Sequence, residues 1–448
     1  MDSLPTEVLR NICSCLMRHD AKNFRLVCKA YSAIGAQFAL PTNLFAYMTN
    51  QDLERLVECS KSEHLARSLL SLEYAPITLA SPAVSKQVFK ETAKWFYEDG
   101  WPRPAGGYSR YKTLITEQES IVTERKDYQS FRSALPHFSQ LRHLTVHCGT
   151  YWALQWLGGH SEEMLQEFRY DQALINPQAG IRHLETLLLA LSDTQVCPES
   201  LKINHINWHF FNRVDAQCRT LFQPAANVKH LRFSIDGKAV YGNEDVASCS
   251  NLMRTGVLRD YLSILTNLRH LAIKFDYSEA CDSSFERALG YDSRLVVPLT
   301  KMIPSEPACA HLTSLSLGAI VCERQDMMQV LLGHKETLRE LCLQDIFLGS
   351  TSWIPLLDAM RKELLLTRPY IRWTIAGRWE GGDRDGQSQL WHLHPHIPVF
   401  VARAIGDEGA VEHEDENLQN LVNRYILDGG RAYPEMANPL TENNASRR

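Results

Sequence analysis

The chain has 448 residues, enough for two or three domains or for one domain followed by a long array of repeats. Apolar residues make up 44% of the chain and charged residues 22%, as in ordinary globular proteins. The formal net charge of −5 argues against a nucleic-acid-binding or membrane-binding surface over the whole protein, although local basic patches stay open.

The 12 cysteines lie singly, without a Cys-x-x-Cys pair. This usage is typical of reduced thiols in an intracellular protein and indicates neither a zinc ribbon nor a disulfide framework. The N-terminus lacks a secretion-signal pattern, and the longest apolar runs are too short to span a bilayer. We therefore expect the protein in the cytosol, the nucleus or both, with no cofactor.

The first forty residues carry the clearest pattern. Pro5 fits the first turn of a helix, where its missing N–H has no acceptor to lose, and Glu7 lies near the positive helix end. Apolar residues then recur at helical spacing: Val8, Leu9, Ile12 and Leu16. About 40 residues rarely bury enough apolar surface to fold alone, so this unit must dock onto the rest of the chain or onto another protein.

This stretch resembles the F-box. The resemblance rests on an ordered set of residues, namely Leu4, Pro5, Glu7, Val8, Leu9, Ile12, Leu16, Asp20, Phe24 to Lys29, and Tyr31. It implies a three-helix unit at residues 1–40 that binds a Skp-family adaptor and, through it, the cullin of an SCF ubiquitin ligase. The adaptor contacts that it implies are Leu4, Pro5, Glu7, Val8, Leu9, Ile12, Leu16, Leu26 and Val27. The alternative is that these helices only cap the following domain.

Residues 41–126 are predicted to form a mainly helical adapter between the N-terminal unit and the main body. Leucines recur at three-to-four-residue spacing in its first half, including Leu53, Leu56, Leu65 and Leu69. Glycines and prolines predict a loop near 99–110. The polar tract that follows, 111–126, is expected to be a flexible or loosely packed insertion.

From about 127 to 402 the chain repeats a phrase of the form apolar-x-x-Leu-x-apolar. Copies begin at Leu141, Val228, Leu268, Leu312 and Leu338, with weaker ones at 201–203 and 371–373. The alternating apolar positions predict a short strand, and helix-like stretches before most copies predict a covering helix. The predicted fold class is therefore α/β, with parallel strands in a solenoid whose stacked units bury what one unit cannot.

This region resembles an irregular leucine-rich-repeat array, and an F-box followed by such repeats is a known pairing, here of the fungal type. The ladder position that Asn or Cys fills in the family is Asp236 and Asp276 in two copies but Ile320 and Ile346 in two others. The resemblance therefore implies an irregular horseshoe with insertions. A non-repeating α/β domain that reuses the same phrase is the alternative.

Two groups of histidines invite a functional interpretation. His392, His394 and His396 alternate, but Pro395 disfavours a regular strand and no fourth ligand lies nearby, so we expect no metal site. Basic pairs recur and are expected between the strand leucines of the repeated phrase: Arg142-His143, Arg182-His183, Lys229-His230 and Arg269-His270. Stacked, they would form a mildly basic, pH-sensitive stripe; a solvated strand face is the favoured interpretation.

Residues 403–448 are predicted to be an acidic, partly disordered tail with one short amphipathic helix, from Leu418 to Ile426. No phosphate-binding loop, nucleophile elbow or zinc-protease motif occurs in the sequence. We therefore expect a non-catalytic subunit that binds a protein target through its repeats. The competing hypotheses are an interaction scaffold unconnected with ubiquitination and an unrecognised hydrolase or metal enzyme.

Overall fold

The structure is a computed structural model that describes residues 4–16, 18–39, 42–79, 82–90, 107–149, 179–212, 220–237, 244–276, 296–304, 309–349, 351–378, 388–393, 422–423 and 425–427. The chain divides into two compact units, Met1–Leu201 and Lys202–Arg448, which are described in turn. Within the described ranges, every helix is too short or too polar to cross a membrane.

Three helices open the first unit: α1 (Thr6–Cys15), α2 (Arg18–Phe24) and α3 (Lys29–Ala39). Both α1 and α2 contact α3. Gly35 of α3 permits this close approach, because a Cβ there would lie 2.8 Å from Cγ of Arg25 and 3.3 Å from Cδ1 of Phe24. The Phe24 ring also stacks on Tyr31, with 4.5 Å between centroids. Helices this short are unstable alone, so these contacts hold them.

The rest of the first unit alternates strands with helices. Its elements are β1 (Asn43–Tyr47), α4 (Asn50–Lys61), α5 (Glu63–Ser68), β2 (Ser71–Ala75), α6 (Gly107–Glu124), α7 (Lys126–Ala134), β3 (His143–His147) and α8 (Ala179–Thr194). The three strands pair in parallel, with Leu44, Leu72 and Leu144 in one cross-strand row. All three leucines are buried, as expected of an apolar row between sheet and helices.

The expectation of a mainly helical adapter at 41–126 missed β1 and β2. Leu65, Leu69 and Leu72 have helical spacing, yet α5 ends at Ser68 and Leu72 belongs to β2. A strand of five residues offers only two or three inward positions, so periodicity alone does not separate it from a helix end.

The tract 111–126 is not a loosely packed insertion, because it lies in α6 and the start of α7. Tyr111, Ile115, Gln118 and Ile121 form a buried face of α6. Gln118 is satisfied there, since its Nε2 donates to the carbonyl oxygen of Ile77 (2.6 Å) and its Oε1 accepts from the N–H of Leu79 (2.9 Å). The polar composition of this tract wrongly indicated loose packing, because a polar residue can occupy a buried helix position when its amide is hydrogen-bonded.

The second unit continues the alternation of strands and helices. The strands are β4 (Ser200–Asn207), in which the division between units falls, β5 (His230–Asp236), β6 (His270–Asp276), β7 (Ser314–Cys322), β8 (Glu340–Leu348), β9 (Arg368–Arg378) and β10 (Ser388–Leu393). The helices are α9 (Glu244–Arg254), α10 (Val257–Leu262), α11 (Leu299–Met302), α12 (Arg324–Gly333) and α13 (Ile354–Glu363). Strands β5 to β9 pair in parallel, and β10 is antiparallel to β9. The predicted α/β class with parallel strands is confirmed.

One backbone arrangement recurs where the strands begin. At β2, the carbonyl oxygen of Thr42 accepts from the N–H groups of Leu70 (2.8 Å) and Ser71 (3.0 Å). The same two-donor arrangement is found at the starts of β3, β6, β7, β8 and β9. The repeated helix–strand pattern therefore begins at β1, well before residue 127.

The sheet of the second unit has two unlike faces. On one, apolar residues in register, such as Leu231, Leu271, Leu315 and Leu341, are buried. The alternate positions form three cross-strand rows on the other face, which we call the open sheet face. Its rows begin at His230, Arg232 and Ser234 of β5 and end at Arg368, Tyr370 and Arg372 of β9. Parallel sheets are usually covered on both sides, so a polar face whose residues are mostly half-buried or exposed is informative, although Ser234 and Gly318 on it are buried.

Part of the predicted tail packs against this unit. Val422, Tyr425 and Ile426 are buried. Asn423 Oδ1 accepts from the N–H of Ile371 (3.0 Å), and the Tyr425 hydroxyl donates to Asp358. The acidic stretch 407–416, the last dozen residues, His394 and His396, and most of the predicted 99–110 loop lie outside the described residues.

Candidate docking surface on the N-terminal helices

Helix α1 begins directly after Pro5, which has a φ of −58°. The Pro5 carbonyl oxygen accepts from the N–H groups of Val8 (3.0 Å) and Leu9 (3.1 Å). Proline thus fixes the entry of the chain and loses no helical hydrogen bond. Glu7 is exposed in the first turn, where a carboxylate interacts favourably with the helix dipole.

The apolar residues of α1 form two stripes. Leu9 and Cys13, four residues apart, are the buried residues of the helix, with 5% and 1% exposure. Leu4, Val8 and Ile12, on the adjacent four-residue spacing, keep 38%, 41% and 40% of their surface exposed. We call these three residues the outward stripe. The first stripe stabilises the helices, and the outward stripe is left uncovered.

Burial also keeps the Cys13 thiol protonated. Removal from water raises the pKa of its thiol, so the side chain stays uncharged on the inner stripe. Leu9, which the sequence placed among the adaptor contacts, belongs to this inner stripe. Its role as an adaptor contact stays a prediction; in the chain alone, Leu9 is buried next to the outward stripe.

A second exposed apolar pair lies on the turn between α2 and α3. Leu26 and Val27 expose 84% and 66% of their surface. The turn is ordered by backbone bonds from Leu26 N–H to Asn23 O (3.0 Å) and from Val27 N–H to Phe24 O (3.3 Å). Two aliphatic side chains are therefore presented to solvent on a defined turn. Leu16, after the C-terminal end of α1, is half-buried.

Exposed apolar residues are concentrated in this unit. Of the twelve large hydrophobic residues that are exposed in the described structure, five lie between residues 4 and 27. The other seven are scattered from Leu70 to Leu427. Single exposed hydrophobics are ordinary, whereas a cluster marks an interaction site. Sequence analysis found these residues but missed their separation from Leu9 and Cys13, which a 100° helical projection of residues 4–16 would have shown.

The basic pairs do not form one stripe. Arg182-His183 lies on α8, not on a strand, and His183 is fully buried. Arg142-His143 leads into β3 of the first unit. In the second unit, His230 and His270 are in register on the open sheet face, with 4.3 Å between stacked rings.

His183 belongs to a buried polar network. Its Nδ1 lies 3.3 Å from Nη1 of Arg182, which also donates to Asp127, so the imidazole proton is assigned to Nε2, 2.6 Å from Oγ1 of Thr78. Burial, and then Arg182, lower the pKa of His183 to about 3. An imidazole of this pKa is a poor general base near neutral pH, and Arg182 binds the Asp127 carboxylate through both nitrogens. The network holds α7 to α8.

No group of three or more His, Cys, Asp or Glu side chains within the described ranges could hold a metal ion. His392 lies in β10 opposite Thr374. The other two histidines of that trio fall outside those ranges.

Comparison with known families shows that the model of the F-box domain matches residues 1–34. No curated protein matches the chain significantly. The chain therefore carries an F-box domain at its N-terminus, over the helices that expose the outward stripe.

Proposed function

We propose that this F-box-containing protein is the substrate-recognition subunit of an SCF-type, cullin-based ubiquitin ligase. F-box domains bind Skp-family adaptors within SCF complexes, which supports the first half of the proposal. The observation that carries it is the outward stripe, since Val8 and Ile12 of α1, with Leu4 just before the helix, remain uncovered beside the buried inner stripe. The adaptor would cover this stripe, with Pro5 and Glu7 beside it.

The size of the uncovered surface fits an interface anchor. Full burial of an aliphatic side chain contributes about 1.5–3 kcal/mol, so covering the remaining surface of each stripe residue contributes roughly 1 kcal/mol. Leu26 is more exposed and would contribute more if the same partner covered it. A few such residues usually carry most of the free energy of binding.

The rest of the chain would hold the target protein, and the protein itself would not be catalytic. F-box proteins generally serve as non-catalytic subunits, and the ligase would transfer ubiquitin to the bound target. We further propose that the helix–strand units form an irregular leucine-rich-repeat-like solenoid of the fungal F-box type, in the cytosol or nucleus. The recurring two-donor arrangement at the strand starts supports the repeat.

The scaffold hypothesis is less well supported. A cap that serves only its own chain would bury Ile12 and Leu16, yet Ile12 is 40% exposed and Leu16 is half-buried. The scaffold hypothesis predicts that the chain binds its target protein normally but does not bind a Skp-family adaptor.

Co-purification tests the proposal. The intact chain and the Leu4→Ala, Pro5→Ala double variant are each expressed with a Skp-family adaptor and a cullin. We expect adaptor and cullin to be lost together in the variant, while circular dichroism stays unchanged because both residues are exposed. Unchanged recovery of the adaptor would contradict the proposal.

A further inference from the structure

We propose that the open sheet face of the second unit binds an extended, aspartate- and glutamate-rich segment of the target protein. This inference rests on the proposed function, because it names the chemistry of the target that the ligase subunit would hold. The face is defined by the three rows that run from β5 to β9, and it carries a local excess of positive charge on a chain whose net charge is −5.

The three rows contain four permanent cations and one carboxylate. The cations are Arg232, Lys274, Arg368 and Arg372, and the carboxylate is Glu340. Arg368 and Glu340 form an ion pair of 3.1 Å whose side chains are 79% and 37% exposed, so it is weak and readily exchanged. Asp236 lies one row further, at the carboxyl end of β5, and limits the basic region on that strand.

The cations lie on either side of β7, whose residues on this face are small. Arg232 and Lys274 lie on β5 and β6, and Arg372 lies on β9. Between them, β7 contributes Ser316 and Gly318. A Cβ at Gly318 would lie 3.0 Å from Cγ of Lys274, so the lysine stem lies against this glycine. This stem covers Gly318, which is buried, so a peptide backbone would cross β7 over Ser316, with cations on both sides.

Arg372 is held ready to receive a carboxylate. Its Nη2 donates to Oε1 of Gln344 (2.9 Å), and its guanidinium lies 5.2 Å from the centre of the Tyr370 ring. Its Nε is buried and has no hydrogen-bond partner within the described part of the chain, so a ligand would meet the guanidinium through its terminal nitrogens. A guanidinium positioned by two neighbours suits carboxylate recognition through those terminal N–H donors.

The spacing of the cations sets the spacing of the acidic residues. Lys274 and Arg372 share the third row and are three strands apart, about 14 Å at 4.8 Å per strand. An extended peptide advances roughly 3.3 Å per residue, so acidic residues about four positions apart would reach both cations. Glu340 and Asp236 disfavour a continuous phosphate backbone, which is why the proposal is a peptide and not a nucleic acid.

Fluorescence anisotropy of the full chain tests this inference. The probe is a labelled peptide of about twelve residues, long enough to cross five strands, with aspartate or glutamate at every second position. We expect binding that weakens with salt, and at least a tenfold loss in the Lys274→Glu, Arg372→Glu variant. The Lys274→Gln, Arg372→Gln variant should also lose affinity, which separates lost attraction from added repulsion.

The matched control is Lys335→Glu with Lys362→Glu. Both lysines are exposed in the same unit, off the open sheet face, and the double substitution changes the net charge by the same amount. We expect it to retain affinity within about twofold, and circular dichroism to be the same for all variants. Equal losses in both charge-reversed variants, no binding of the peptide to the unmodified chain, or tighter binding of a labelled single-stranded RNA would each overturn the inference.

Adaptor co-purification with the same variants separates the two proposals. If the peptide binds and depends on Lys274 and Arg372 while the unmodified chain fails to hold the adaptor, the ligase role fails and the acidic-peptide site stands. If the adaptor binds and the peptide does not, the ligase role stands and the acidic-peptide site fails.

Discussion

Val8 and Leu9 are neighbours in α1, yet Val8 exposes 41% of its surface and Leu9 only 5%. Adjacent residues point about 100° apart on a helix, so Val8 and Leu9 face different surroundings although they are consecutive. Leu9 is buried within the chain, and Val8 stays accessible to solvent.

This difference predicts that truncating the two side chains destabilises α1 to different extents. Leu9→Ala should lower the free energy of local opening of α1 by roughly 2–4 kcal/mol, because it leaves a cavity. Val8→Ala should lower it by less than about 1 kcal/mol, since the side chain is already partly solvated. Amide hydrogen exchange of α1 measures both, and equal protection in the two variants would refute the two-stripe description.

The ion pair between Arg182 and Asp127 gives a second prediction. Arg182 donates to both carboxylate oxygens, at 2.7 and 3.0 Å, and Asp127 is fully buried. Arg182→Met would leave a buried carboxylate unpaired, so we expect a loss of about 3–5 kcal/mol in the opening free energy of α8, measured by hydrogen exchange.

The exposed pair Arg67–Glu63, with side chains 70% and 68% exposed, is the control for that substitution. Arg67→Met should change the opening free energy of α5 by less than about 0.5 kcal/mol. If the two arginine variants had similar effects, the buried pair would not hold α7 to α8.

His183 predicts a pH dependence of stability. Its pKa falls from 6.5 to about 3 on folding, so between these values the unfolded chain binds a proton that the folded chain does not. The contribution of His183 to the free energy of unfolding therefore has its full value above pH 6.5 and decreases as the pH falls towards 3. Between pH 6.5 and about 5, the free energy of unfolding should fall by roughly 2 kcal/mol.

Replacing the imidazole should remove this pH dependence. The His183→Gln variant should be less stable than the unmodified chain at pH 7, and the gap should narrow by roughly 2 kcal/mol on acidification to about pH 5. Urea denaturation followed by circular dichroism measures the gap. Parallel stability profiles would show that His183 is not buried neutral.

The strands formed by the repeated phrase were predicted correctly, because each copy supplies two apolar positions that face the core. Leu231, Leu271, Leu315 and Leu341 appear in one cross-strand row, as alternation requires. The two strands before residue 127 were missed because Leu44 and Leu72 lie beside helix-spaced leucines. Single-sequence periodicity does not separate short strands from such neighbours.

The candidate surfaces were predictable to different degrees. The residues of the F-box stretch were found, but the burial of Leu9 arises in the packed structure, which the local sequence does not reveal. The open sheet face was missed because Lys274 and Arg372, far apart in sequence, come into one row only through strand register. Gln118 illustrates the same limit, since its backbone partners lie about forty residues away.

The central claim is that the outward stripe binds the adaptor, and its most direct test is isothermal titration calorimetry with a Skp-family adaptor. The full chain is compared with the Val8→Asp, Ile12→Asp variant and with a Leu189→Asp control, because Leu189 on α8 is 39% exposed, as much as the stripe residues. We predict a loss of affinity of roughly 100-fold for the stripe variant, since each substitution removes an apolar anchor and places a carboxylate in a dry interface, and a change within about threefold for the control. Adaptor affinity that is unchanged in the stripe variant, or reduced equally in both, would contradict the account.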